Sequence, residues 1–150
     1  MSRNFILNSL IILSFFALSF AYFVEFILGH EPCNLCKIER IPYIGALILG
    51  TLVMIIKKWE KIILSFIFLL FVFGVIVSVY HVGIEQGIFS ESLLCELGIS
   101  KDVQNTDELL KNLQNTPISC REVSFTIFNL SLATFNAVLS LIISYIFFRL

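Results

Sequence analysis

Read for its hydrophobic and polar positions, the chain falls into four apolar runs, over 5–28, 41–56, 62–82 and 125–148, separated by shorter polar segments. A helix that crosses a bilayer needs about 20 apolar residues, with a range of roughly 17–25. The first, third and fourth runs meet that length. The second is short by itself and is predicted to begin earlier, around 35–40, which gives helices over about 5–28, 38–56, 62–82 and 125–148. Pro42 then falls in the first turns of its helix, where a missing backbone N–H costs least. Arg3 ahead of the first run and the small residues Ala17 and Ala21 within it suggest a signal peptide. The apolar stretch exceeds the roughly 7–15 residues of such a segment's core, so it is expected to remain as a helix. The pattern predicts one all-α membrane domain over 1–150, a four-helix bundle with outer loops at about 29–40 and 83–124.

Composition supports the membrane reading. Hydrophobic residues make up 58% and charged residues 14%, against about 25% charged in a soluble domain, and mean hydropathy is +0.95. Such a chain lacks the polar side chains to cover a globule. A disordered chain and a cysteine-stapled secreted mini-protein are excluded. The net charge of −1 leaves no basic footprint for nucleic acid. Lysine and arginine placement predicts orientation. Arg3, Lys57, Lys58, Lys61 and Arg149 crowd into very short segments on one side. On the other side Lys37, Arg40, Lys101, Lys111 and Arg121 are spread out and outnumbered by acids. Both termini are therefore expected in the cytoplasm, with Trp59 as an interfacial anchor. In the second outer loop, residues 106–113 read as a short amphipathic helix, with Thr106 as N-cap, Asp107 and Glu108 in the first turn, and an edge of Leu109, Leu110 and Leu113.

All four cysteines fall in the two outer loops: Cys33 and Cys36 in the first, Cys95 and Cys120 in the second. An even count outside the membrane suggests pairing, with three possible connectivities. Cys33-Asn34-Leu35-Cys36 is a Cys-x-x-Cys, spaced to form the small ring of redox-active pairs. A Cys95–Cys120 bridge would close a loop of about 25 residues, worth on the order of 3 kcal/mol if it is only a staple. A zinc site at Cys33 and Cys36 would need a second ligand pair, and none is near in sequence, so no metal is expected.

Surroundings favour chemistry at the first pair. The second membrane helix starts just after it, and a thiolate at a helix N-terminus is stabilised. Arg40, four residues beyond Cys36, would reach the same face on a helical path, to stabilise charge or simply to anchor the helix at the interface. His81, at the outer end of the third span with Glu85 at i+4, could position an acceptor or relay protons, or be only an interfacial polar residue. Glu25 is placed to snorkel to the interface or to pair with Arg40. Asn129, Asn136, Ser140 and Ser144 share one face of the fourth helix, where polar groups join membrane helices. Ala46 and Gly50 offer a small-xxx-small surface for close packing.

The segment Pro32-Cys33-Asn34-Leu35-Cys36-Lys37-Ile38-Glu39-Arg40-Ile41-Pro42-Tyr43 resembles the first-loop motif of DsbB-type disulfide bond formation proteins. Tyr80-His81-Val82-Gly83-Ile84-Glu85-Gln86-Gly87 is similar to the family's segment at the end of the third helix. Cys120 and the stretch from Asn129 to Asn136 are similar to its second-loop cysteine and fourth-helix opening. The resemblance implies a disulfide-generating oxidoreductase of the bacterial inner membrane, with its cysteine loops in the periplasm. In such an enzyme a DsbA-like thioredoxin-fold partner attacks Cys95–Cys120, most directly at Cys95. The resulting thiols reduce Cys33–Cys36, and Cys36 passes two electrons to a quinone, ubiquinone or menaquinone, bound near Arg40 and His81. Three other readings stand beside it. A vitamin-K-epoxide-reductase-like oxidase also pairs a helical bundle with two cysteine pairs, but the Cys-x-x-Cys ahead of the second helix favours the DsbB-type order. A non-catalytic scaffold would use both disulfides as permanent braces. A small transporter is disfavoured, because no acid or base lies at mid-bilayer.

Overall fold

A computed structural model of the chain describes residues 3–90, 95, 119–121, 125–127 and 130–149. Helix α1 (Arg3–Phe26) leads through an extended stretch to a five-residue helix α2 (Asn34–Ile38). Next come α3 (Ile41–Ile55), a 3-10 turn at Lys57–Trp59 and α4 (Glu60–Glu85). A two-residue pairing of β1 (Thr126–Ile127) with β2 (Leu130–Ser131) precedes α5 (Leu132–Phe148). Three segments, Arg3–Phe26, Asn34–Ile55 and Lys57–Glu85, are long and apolar enough to cross a membrane, and Leu132–Phe148 is a shorter apolar helix. Helices dominate for a physical reason: in lipid every backbone N–H and C=O must find its partner within the chain, and a helix does this locally.

Two boundaries differ from the sequence expectation. The second helix is not continuous from its start, because residues 39 and 40 turn between α2 and α3. Pro42, in the first turn of α3, has no N–H to offer the carbonyl of Ile38, so a helix running through this point would lose a rung. The fourth apolar run is helical only from Leu132, not from residue 125. The side chain of Ser131 accepts the Thr134 N–H at 3.2 Å and caps α5, while the residues before it form the antiparallel pair. The amphipathic helix expected over 106–113 lies outside the described residues.

The helices pack in the series α1, α3, α4, α5: α3 lies against both α1 and α4, and α5 against α4. Small residues set the approach. Ala46 is fully buried, and a side chain at Gly50 would meet Ile11 of α1. A Cβ at Gly74 would lie 3.1 Å from Pro42 Cγ and 3.3 Å from Ser140 Oγ, so α4 touches α3 and α5 at one level. Around this seam Leu10, Tyr43, Val53, Ile67, Phe71 and Ile143 form the core, with the Tyr43 and Phe71 rings edge to face at 5.5 Å. Large apolar side chains such as Phe16, Ile48, Ile55 and Ile76 point outward instead, as lipid-facing positions do. No comparably extensive contact joins α1 and α5 among the described residues.

Candidate active site

At one end of the bundle the turn between α2 and α3 gathers the reactive groups. Cys33 caps α2, its sulfur accepting the Cys36 N–H at 3.3 Å, so the Cys-x-x-Cys spacing turns both thiols to one side. The two sulfurs lie 2.8 Å apart as hydrogen-bonded thiols. Cys33 is buried and Cys36 half-buried. Cys95 and Cys120 form a disulfide. Both of these cysteines pack with Cys33, Leu35 and Ile84 in a single buried cluster that Cys36 borders, and Asn34 Nδ2 donates to the Cys95 carbonyl at 3.2 Å. The two cysteine pairs, far apart in sequence, are therefore neighbours.

Behind the Cys-x-x-Cys runs a polar chain. His81 Nε2 lies 3.5 Å from Cys33 Sγ, while His81 Nδ1 donates to Glu39 Oε1 at 2.8 Å. Glu39 Oε2 accepts from Asn136 Nδ2 at 3.0 Å, and the same amide nitrogen donates to Ser78 Oγ at 2.7 Å. Asn136 Oδ1 accepts from Tyr43 at 2.5 Å and from Ser140 at 3.4 Å. The amide thus uses both its donors and its acceptor, as a polar group buried between membrane helices requires. The consequence for the pair is electrostatic. The hydrogen bond from Cys36 pulls the Cys33 thiol down to about 4 with further help from His81, outweighing the burial that pushes it up.

Arg40 makes the pairing with Glu25 that the sequence offered. Residues 39 and 40 keep right-handed helical dihedrals through the turn, and the guanidinium pairs with Glu25 Oε2 at 2.5 Å and lies 4.8 Å from the Tyr22 ring centre. It is Glu25 of α1, not the Cys36 sulfur, that holds this charge. Arg40, Cys33, Cys36 and His81 still share one cavity of about 550 Å³, whose long sides are the apolar faces of α1 and α5 (Phe16, Phe20, Leu132 and Leu139 among them). That volume is within the roughly 300–1,000 Å³ of small-molecule sites. The cavity lies between α1 and α5, the two ends of the packing series. The donors Cys33, Cys36 and His81 also lie within 4.8 Å of one another, close enough to share one ion.

The family model for disulfide bond formation protein DsbB matches residues 3–149. The chain belongs to the DsbB family. An uncharacterized protein of Rickettsia prowazekii is 31% identical over 134 residues, 88% of this chain and 78% of that protein. The disulfide bond formation protein B of Cupriavidus pinatubonensis is 32% identical over 72 residues, 48% of this chain and 45% of that protein. No solved structure matches. Membership makes this a membrane protein of disulfide bond formation and, with its apolar helices, places it among inner-membrane proteins.

In this DsbB-family chain the structure brings Cys33, Cys36, Cys95, Cys120 and His81 into contact or near contact, and puts Arg40 on the wall of the same cavity. His81 meets Glu39 more closely than its helical neighbour Glu85, which is 3.8 Å from Nε2. Glu39 and Asn136 as members of the site were missed by sequence reasoning. Glu39 counted as one more acid of an outer loop, and Asn136 as helix glue, which it also is. The signal available for Asn136 was its lone amide in an apolar run. Of the other polar residues on that face, Ser140 joins the network, the Ser144 hydroxyl has no partner among the described residues, and Asn129 lies outside them.

Proposed function

We propose that this protein is a quinone-dependent thiol oxidase that reoxidises a DsbA-like thioredoxin-fold partner in the periplasm. In this reading the protein is one membrane domain with α5 as its fourth crossing. Its 17 residues span about 25 Å at 1.5 Å per residue. Both termini face the cytoplasm and both cysteine pairs the periplasm, consistent with Lys57, Lys58 and Lys61 in the α3–α4 turn. The observation that carries the function is the packing of Cys95–Cys120 against Cys33, which itself lines the cavity between α1 and α5.

Thiol–disulfide exchange runs by thiolate attack on a disulfide sulfur through a mixed disulfide. A partner thiolate attacks Cys95 and releases Cys120. The partner's second thiol then resolves the mixed disulfide, leaving the partner oxidised and Cys95 and Cys120 as thiols. These reduce a Cys33–Cys36 disulfide in a second exchange, which closes Cys95–Cys120 and leaves Cys33 and Cys36 as thiols.

A membrane quinone, ubiquinone or menaquinone, supplies when bound the two-electron oxidant that restores the inner disulfide. The residues present fit such a group: apolar flanks from α1 and α5 for a flat ring and its tail, and a guanidinium at the polar end. The chain's own part is to place and charge the thiols. His81 holds or accepts the proton at Cys33 Sγ, Glu39 fixes the imidazole, and Arg40 presents positive charge where negative charge develops. Leu132, Leu139 and Phe20 keep water from the cavity.

The reading is tested with detergent-solubilised protein, a reduced thioredoxin-fold oxidant and ubiquinone or menaquinone, following quinone absorbance. Loss of the quinone signal in wild type and its persistence in Cys36→Ser is expected. Bridges that stay closed with every dithiol and quinone supplied would make the protein a bracing scaffold instead.

A further inference from the structure

We propose that Cys33, Cys36 and His81 form a binding site for a thiophilic divalent cation of the zinc class, which holds the inner pair open and stops its oxidation. The inference goes beyond the oxidase reading, since the site needs only two thiols and an imidazole. The sequence offered the Cys-x-x-Cys without further ligands nearby; the fold supplies one from 48 residues beyond Cys33. The three donor atoms lie within 4.8 Å of one another.

The geometry suits a tetrahedral ion. With zinc–sulfur and zinc–nitrogen bonds of about 2.3 and 2.0 Å, a sulfur and a nitrogen ligand stand about 3.5 Å apart and two sulfurs about 3.8 Å apart. Cys33 Sγ and His81 Nε2 are already 3.5 Å apart. The sulfurs, at 2.8 Å, must open by about 1 Å, and Cys36 borders the cavity into which it can turn. The imidazole is oriented for the task. Glu39 accepts the Nδ1 hydrogen, so that when the proton between Nε2 and Cys33 leaves, the Nε2 lone pair faces Cys33, the carboxylate–histidine–metal arrangement that fixes a ligand's tautomer. Glu85 Oε1, 3.8 Å from Nε2, or a water can take the fourth position.

Binding displaces the Cys36 S–H proton and the one proton shared between Cys33 Sγ and His81 Nε2, forms two metal–sulfur bonds and one metal–nitrogen bond, and releases those two protons to solvent. No electron moves. A Cys33–Cys36 disulfide has no thiolates to offer, so the cation and the disulfide exclude each other. The cation therefore captures only the reduced inner pair.

The test uses the full chain in detergent, reduced anaerobically, with cobalt(II) alone as the probe and neither partner nor quinone present, so that its outcome is independent of the oxidase reading. A 1:1 complex with sulfur-to-cobalt charge-transfer absorbance and tetrahedral ligand-field bands is expected, displaced by zinc. Its absence in Cys33→Ser/Cys36→Ser and at least tenfold weaker zinc binding in His81→Asn are also expected. No such bands, or bands unchanged in the double variant, would overturn the proposal. Should His81→Asn fail to fold, wild-type protein still decides: zinc must shield Cys33 and Cys36 from alkylation, and equal labelling with and without zinc would refute the site.

Discussion

At the scale of single residues, one imidazole ties the inner pair to the polar network behind it. His81 touches Cys33 on one side and Glu39 on the other. Glu39→Gln removes a charge-assisted hydrogen bond, worth roughly 1.5–3 kcal/mol, and lets the ring turn. Turnover with a reduced dithiol partner and quinone should fall about 10- to 100-fold with the helical content unchanged; an unaltered rate would remove Glu39 from the site. The lowered Cys33 thiol gives a second expectation, with its sign set by the charged form. A depressed pKa means that the thiolate persists on acidification, so the reduced protein should keep thiolate absorbance near 240 nm at pH 6, where an ordinary cysteine is protonated. Cys36→Ala removes the main cause and should move that titration upward. An absorbance that appears only above pH 8 in wild type would contradict it. The cysteines, Arg40 and His81, which the fold gathers at one end of the bundle, stood out as candidates because their types and spacing are chemical signals by themselves. Glu39 was not, because its burial depends on α4 and α5 meeting behind the α2–α3 turn, and no local pattern in Lys37-Ile38-Glu39-Arg40 records that meeting.

At the scale of elements, the apolar runs announced the helices, and the departures have specific causes. Pro42 leaves the Ile38 carbonyl without its rung, so the second helix passes through a turn at residues 39 and 40, and Arg40 pairs with Glu25. Ser131 stops the fourth run from being helical throughout, since a hydroxyl that satisfies the Thr134 N–H offers the backbone a better start there. Hydrophobicity alone cannot show this, because the residues before the cap are as apolar as those after it. Ser131→Ala should cost about 1 kcal/mol, seen as a Tm lowered by a few degrees in detergent, and Ser131→Thr should restore most of it. An unchanged Tm in the alanine variant would mean that the β1–β2 pairing, not the cap, fixes the start of α5. The Ala46 and Gly50 surface was legible for the opposite reason: small residues at helical spacing have few uses in lipid besides close approach.

At the scale of the whole molecule, the series of helices α1, α3, α4 and α5 leaves a cavity between α1 and α5 that reaches Cys33 and Cys36. The sequence announced the apolar helices and the cysteines but not the gap. That gap follows from how α3 and α4 pack, and so from side-chain volumes across three helices. The central claim is that electrons pass through the inner pair from the outer one to a quinone. It is tested most directly in a single turnover. Protein reduced to four thiols is mixed anaerobically with excess quinone and no partner, then quenched, and the remaining thiols are counted by alkylation and mass. Wild type is expected to consume two quinones per chain and close both pairs, whereas Cys36→Ser consumes none and keeps its thiols. Four thiols and an unchanged quinone signal in wild type, or closure of Cys95–Cys120 by quinone in Cys36→Ser, would contradict the path.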